Sequence, residues 1–227
     1  MMIKAIAVDK DGTFLKSDHT YDKAYFEEIF DELKRQDIKF IVASGNQYAQ
    51  LQSFFPEKDQ HITYVAENGA VTYYDNELMT SYYFDQQLIY DVVETLTRDF
   101  GLADIVLSGI KSAYVKQTCS NEFMNFISNY YYDIEKVASF EHIEEDNFVK
   151  VAMRIKDKDL VKAVMDALET KFRGELRAVT SGNDSVDLIL PNVNKGVAIE
   201  DILKQWGIAH DELLAFGDAN NDIEMLG

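Results

Sequence analysis

"AVDKDGTFL", Ala7 to Leu15, follows the apolar run Ile3, Ala5, Ile6, Ala7 and Val8. The run is too short to cross a membrane and predicts a buried strand, so two carboxylates fall where that strand leaves the core. Side chains alternate in extended backbone. Asp9 and Asp11 can therefore point to one side and Lys10 to the other, with Cα atoms ~6.6 Å apart at ~3.3 Å per residue. That spacing lets two carboxylates flank one reacting atom. Gly12 permits a tight turn, and Thr13 offers a hydroxyl and an amide to an anion. Taken alone, the same residues also suit a solvated Asp-Gly turn at a strand end.

Outward from this stretch, strand and helix patterns alternate. Tyr25, Phe26, Ile29, Phe30 and Leu33 recur at helical spacing, and "IKFIVAS" (38–44) reads as a second strand. A helix with Tyr48, Leu51 and Phe54 stops at Pro56, and "ITYVA" (62–66), Asn68-Gly69 and "AVTYY" (70–74) read as strand, turn and strand. Such alternation implies a parallel sheet covered on both faces.

The pattern changes after about Tyr82. Leu88, Val92, Leu96 and Phe100 predict a helix, "DIVL" and "SAYV" two short strands, and Phe123, Phe126, Ile127 and Tyr130 an aromatic helix. "VKVAMRI" (149–155) alternates as a strand with one wet face. A helix with Leu160, Val164, Leu168 and Phe172 precedes the strands "ELRAVT" and "SVDLIL". From Asn194 the first pattern resumes, with Val197, Ile202, Leu203 and Trp206 on a helix stopped by Gly207 and a buried strand in "ELLAFGD". The expected architecture is an α/β, doubly wound, parallel-sheet Rossmann-like core over 1–82 and 185–227, interrupted by an α+β cap over 83–184.

Composition narrows the function. The chain has 227 residues, 22 Lys and Arg against 40 Asp and Glu, and a formal charge of -18. No dense basic cluster stands out, which argues against nucleic acid or an anionic membrane as the main partner. A single cysteine, Cys119, excludes an intramolecular disulfide and a Cys-rich metal site. His19, His61, His142 and His210 are scattered without ligand spacing. With no signal-peptide pattern and no ~20-residue apolar stretch, the expectation is a soluble cytoplasmic protein of undetermined oligomeric state.

Three further motifs fall where α/β folds gather ligand groups. "IVASGN" sets Ser44 at a strand end beside Gly45, suiting a hydroxyl and amides for a phosphate oxygen or an ordinary helix N-cap. "NKG" puts Lys195 at a helix start, where the helix dipole opposes a cation and an anion nearby would offset it. "FGDANNDIEML" supplies Asp218, Asn221 and Asp222 after a buried strand, hard oxygen donors of the kind Mg²⁺ selects.

The set "DKDGT", "ASGN", "NKG" and "GDANND", in this order and with a cap-sized gap between Ser44 and Lys195, resembles the haloacid dehalogenase superfamily of aspartate-nucleophile phosphatases, in its Cof-type branch. The resemblance implies a hydrolase acting on small phosphorylated metabolites such as sugar or cofactor phosphates. It casts Asp9 as nucleophile and Asp11 as the acid that protonates the leaving alcohol and then activates water. It implies Ser44 and Lys195 on phosphate oxygens with Asn221 as a phosphate-side or positioning group, and Mg²⁺ on Asp9, the backbone carbonyl of Asp11 and Asp218, supported by Asp222. A phosphoacceptor signalling module and a noncatalytic binding protein of the same fold are the alternatives; the first fits poorly with an acidic pair on the first strand followed by Gly-Thr.

The chain departs from that pattern in places. Lys10 stands where an apolar residue is common and is expected to face away from the site; Ser44 and Asn46 stand where relatives often carry threonine and arginine. Relatives continue beyond the last motif, whereas Ile223, Met225 and Leu226 open an apolar helical turn that stops at Gly227, so a C-terminally shortened chain is expected.

Overall fold

The structure is a computed structural model that describes residues 2–56, 58, 60–143, 145–180 and 185–227. It divides into two compact units, Met1–Thr80 with Asn192–Gly227, and Ser81–Pro191.

In the first unit, β1 (Ala5–Asp9), β2 (Lys39–Ala43), β3 (Ile62–Ala66), β4 (Val71–Tyr74), β5 (Glu77–Ser81) and β12 (Leu213–Phe216) form one sheet in the order β12-β1-β2-β3-β4-β5. The four strands β12, β1, β2 and β3 are parallel, and β4 turns back antiparallel to β3. β5 has no apolar alternation strong enough to read from sequence: Glu77 and Leu78 are exposed, and the remaining three residues are half-buried.

Both faces are covered, and the period of two shows why. Ala5, Ala7, Ile41, Ala43 and Val65 face α6 (Lys195–Trp206), packing on Ala198, Ile199, Ile202 and Leu203. Phe40 and Tyr64, one residue out of step, enter an aromatic cluster with Phe14, Tyr21, Phe26, Phe30 and Phe55 from α1 (Lys23–Arg35) and the segments flanking it and α2 (Tyr48–Ser53). On α1 the buried stripe is Phe26, Phe30 and Leu33; Tyr25 and Ile29, read as part of the same face, lie on the exposed flank. A stripe at i, i+4, i+7 is all that one sheet face can cover.

The second unit holds α3 (Gln86–Phe100), β6 (Ile105–Gly109), β7 (Ala113–Lys116), α4 (Asn121–Ile127), β8 (Ile134–Val137), β9 (Phe148–Arg154), α5 (Lys158–Lys171), β10 (Arg177–Thr180) and β11 (Ser185–Ile189). Its sheet runs β10-β11-β9-β6-β7-β8, antiparallel except for the parallel pair β7-β8. β8, with only two half-buried residues, was not expected. β9 differs from the one-wet-face reading: Lys150 is buried, its ammonium 5.1 Å from the Tyr131 ring centroid, because α4 covers that face with Phe123 and Ile127.

The return to the first unit falls at Pro191/Asn192 rather than near Ser185. β11 is hydrogen-bonded between β10 and β9, from Ser185↔Arg154 to Leu188↔Val151, so "SVDLIL" belongs to the second sheet. Among the described residues no helix is long and apolar enough to cross a membrane.

The parallel register sets up everything below. β1 and β2 pair from Ala5↔Lys39 to Asp9↔Ala43, and β1 and β12 from Ala5↔Leu213 to Val8↔Phe216, so the segments after β1, β2, β3 and β12 emerge at one edge of the sheet. At that edge Glu67 and Asn68 both adopt positive φ (51° and 57°). Gly69 follows at φ 98°, and a Cβ built on it would lie 2.3 Å from the Asn194 carbonyl oxygen. Only glycine lets the start of α6 approach this turn. Gly69→Ala should therefore lower unfolding free energy by about 2–4 kcal/mol in chemical denaturation; a change below ~0.5 kcal/mol, within the range of a neutral surface substitution, would show that the approach is not tight.

Candidate active site

Asp9 is the last residue of β1 and only 5% exposed. Facing it is Lys195, first residue of α6 and 1% exposed, whose ammonium donates to Asp9 Oδ1 at 2.5 Å and to Asp222 Oδ1 at 2.7 Å. Asn194 makes this helix start possible by capping it, Oδ1 accepting from the Val197 amide at 2.9 Å. The anion that a lysine at a helix N-terminus requires is thus a pair of carboxylates.

Asp222 is fully buried and wholly engaged: Oδ1 takes Lys195, and Oδ2 accepts from the amides of Asp218 and Ala219 at 3.1 and 3.0 Å. It folds the loop after β12 back on itself and thereby sets Asp218. The Thr13 hydroxyl donates to Asp218 Oδ1 at 2.8 Å, and Gly12, at φ 89°, lies so close that a Cβ there would be 2.6 Å from Asp218 Oδ2. The first and last motifs, more than 200 positions apart in the chain, are in contact.

Carboxylate oxygens of Asp9, Asp218 and Asp222 lie within 4.8 Å of one another. With Asp222 occupied, Asp9 Oδ2 and Asp218 Oδ2 are the oxygens outside the hydrogen bonds given above. Two carboxylate oxygens, a neighbouring backbone carbonyl and water suit a small hard cation, so the donor set fits a divalent metal. The Asp11 carboxylate is not one of the three in this cluster.

Ser44 is buried directly after β2, its hydroxyl accepting from the Asn46 amide at 3.2 Å. A Cβ on Gly45 would touch the Asn68 side chain at 3.1 Å, and Asn221 donates to Asn68 Oδ1 at 3.2 Å. Ser44, Gly45, Asn68 and Asn221 thus form one wall. Asn68 was read only as half of an Asn-Gly turn; its tolerance of positive φ is the signal that marks it.

The largest departure from the sequence reading is Lys10. It does not merely face away: 1% exposed, its ammonium lies 3.0 Å from Asp11 Oδ2, donates to Gln50 Oε1 at 3.0 Å, and sits 4.6 Å from the Phe54 ring centroid. Alternation aims its stem at α2, but a four-carbon stem is long enough to bend back to the next carboxylate. Burial lowers the Lys10 pKa, with the Asp11 charge opposing the shift.

Burial also dominates Asp9, pushing it up to about 6 against the pull of Lys195, while Asp222 and Asp11 add to the rise. Raised above its unfolded value, Asp9 binds its proton more tightly in the folded chain. The stability this gives is full below the unfolded value near 3.8 and is lost as pH climbs through about 6. In metal-free buffer, unfolding free energy should decline across that window and Asp9→Asn should flatten the decline; an unchanged slope in the variant would refute the assignment.

Comparison with known proteins bears on this geometry. Residues 6–227 match the family model of haloacid dehalogenase-like hydrolases. The 5-amino-6-(5-phospho-D-ribitylamino)uracil phosphatase YbjI of Escherichia coli K12 is 39% identical over 227 residues, covering 100% of this chain and 82% of that protein. YitU of Bacillus subtilis 168, a phosphatase of the same named compound, is 22% identical over 236 residues, covering 97% and 82%. The crystal structure of SMU.1108c from Streptococcus mutans UA159 superimposes with a TM-score of 0.89 at 35% identity, covering 98% of this chain and 84% of that one. A buried aspartate-and-lysine pair at the carboxyl edge of a parallel sheet, in a chain matched over nearly its whole length, makes this protein a member of the haloacid dehalogenase-like hydrolases and an enzyme of its phosphatase group.

Proposed function

We propose that this enzyme is a Mg²⁺-dependent phosphatase of small phosphorylated metabolites that works through an aspartyl-phosphate. The observation that carries the reading is the Lys195 ammonium held between Asp9 and Asp222, beside Asp218. Asp9 attacks phosphorus through one carboxylate oxygen; the phosphorus–oxygen bond to the alcohol breaks as the bond to Asp9 forms. Asp11 gives its proton to the departing alkoxide, then takes one from the water that attacks the aspartyl-phosphate, releasing phosphate and restoring Asp9.

Lys195 offsets the repulsion between a carboxylate and a phosphate dianion in a site shielded from water. Ser44, with the Gly45 amide, Thr13 and Asn221, is assigned to the phosphate side. Mg²⁺ would be held by Asp9, Asp218 and the Asp11 carbonyl, with Asp222 bracing the loop, and when bound supplies further neutralisation of phosphate charge. Ser81–Pro191 is taken as the inserted cap.

For substrate class we propose a phosphorylated open-chain polyol attached to a heteroaromatic ring, because YbjI and YitU both carry the name of such a phosphatase. A small metabolite of this kind, together with a lone thiol, supports action in the cytoplasm, without nucleic acid or membrane as partner.

The test is steady-state hydrolysis across a panel of phosphomonoesters that includes 5-amino-6-(5-phospho-D-ribitylamino)uracil, sugar phosphates and cofactor phosphates. We expect the highest kcat/KM on the ribitylaminouracil phosphate, loss of activity with EDTA and recovery with Mg²⁺. Asp9→Asn should reduce kcat by at least ~10³-fold. Full turnover in Asp9→Asn, or turnover indifferent to EDTA, would remove the mechanism; a flat panel would remove the substrate assignment alone.

A further inference from the structure

We propose that Lys10 is a positioning residue for Asp11: with Asn46 it pins one carboxylate oxygen, Oδ2, and so presents the other, Oδ1, for proton transfer. This rests on the phosphatase reading above and concerns a residue that reading leaves without a role.

Four side chains form a closed ring. Lys10 Nζ lies 3.0 Å from Asp11 Oδ2 and donates to Gln50 Oε1 at 3.0 Å. Asn46 Nδ2 donates to the same two acceptors, at 3.4 and 3.2 Å. Both donors therefore bridge the Asp11 carboxylate to α2. Asp11 Oδ1 is outside the ring; it lies 3.9 Å from His19 Nδ1, too far for a hydrogen bond.

Charge and exposure explain why a lysine suits this place. A buried ammonium costs several kcal/mol unless it is paired, whereas a methionine of similar length would fill the space beside Phe54 without that penalty. The pairing acts on Asp11, whose side chain is 43% exposed in a turn and would otherwise sample several staggered χ1 wells. A general acid must lie within hydrogen-bond reach of the leaving oxygen, and a 1 Å misplacement can cost ~10²-fold. Oδ2 is anchored by two donors, which leaves Oδ1 as the working oxygen.

The experiment uses the full chain with Mg²⁺ and compares Lys10→Met with the native enzyme on an alkyl phosphate and on p-nitrophenyl phosphate. The ratio kcat/KM covers steps up to formation of the aspartyl-phosphate, where an alkoxide needs a proton and nitrophenolate does not. Lys10→Met should lower kcat/KM at least about tenfold more for the alkyl than for the aryl ester, and Lys10→Arg should recover part of the difference. In parallel, three-bond couplings about χ1 of Asp11, measured by NMR without substrate, should change from a single-rotamer value to an averaged one in Lys10→Met.

Equal losses on the two esters, or an Asp11 that keeps one rotamer in Lys10→Met, would overturn the proposal. If the native enzyme with Mg²⁺ hydrolyses neither ester, the phosphatase reading fails, and the couplings still decide whether Lys10 positions Asp11.

Discussion

A buried ammonium between two buried carboxylates holds the site together. Lys195 begins a helix, Asp9 ends a strand, and Asp222 lies in the final loop, so one cation ties three separate segments to one point. Without it, two carboxylates would face each other out of contact with water, each lacking the partner that offsets its desolvation. Burial is what makes the group effective and also what makes it costly. The same desolvation that raises Asp9 to about 6 strengthens its attraction for any cation brought beside it.

That arrangement depends on the sheet. Parallel pairing of β12, β1, β2 and β3 in nearly level register makes four loops emerge together, and the capped start of α6 brings the lysine to the same edge. The close packing of Gly69 on the Asn194 carbonyl and of Gly12 on Asp218 fixes how near those loops come. Backbone freedom at two glycines thus carries through to the spacing of charged atoms.

The second acid of the opening pair is held in a different way. Asp11 is half-exposed, and its constraint comes from Lys10, Asn46 and Gln50. Lys10 and Asn46 are two of the three departures from the family pattern in the opening motifs and are far apart in sequence, one just after the first strand and one after the second. In space they donate to the same two oxygens.

Much of this was legible in the chain itself. Alternation of apolar strands with amphipathic helices identified the doubly wound core, and the order of the motifs from "DKDGT" to "GDANND" identified the haloacid dehalogenase-like family. Local patterns specify which segments are strands and helices because burial on one or two faces leaves a period of two or 3.6. They are silent where an element is half-wet, as in β5 and β8, and they misplace a boundary where an apolar strand could join either sheet, as β11 could. By itself the sequence determined the family, the element types and the identities of the charged groups. Only the tertiary structure decided which oxygen each donor meets, that Lys10 turns back to Asp11, and that Asp222 is fully committed, because hydrogen-bond partners up to 205 positions apart are chosen by strand register and loop closure, not by neighbours in the chain.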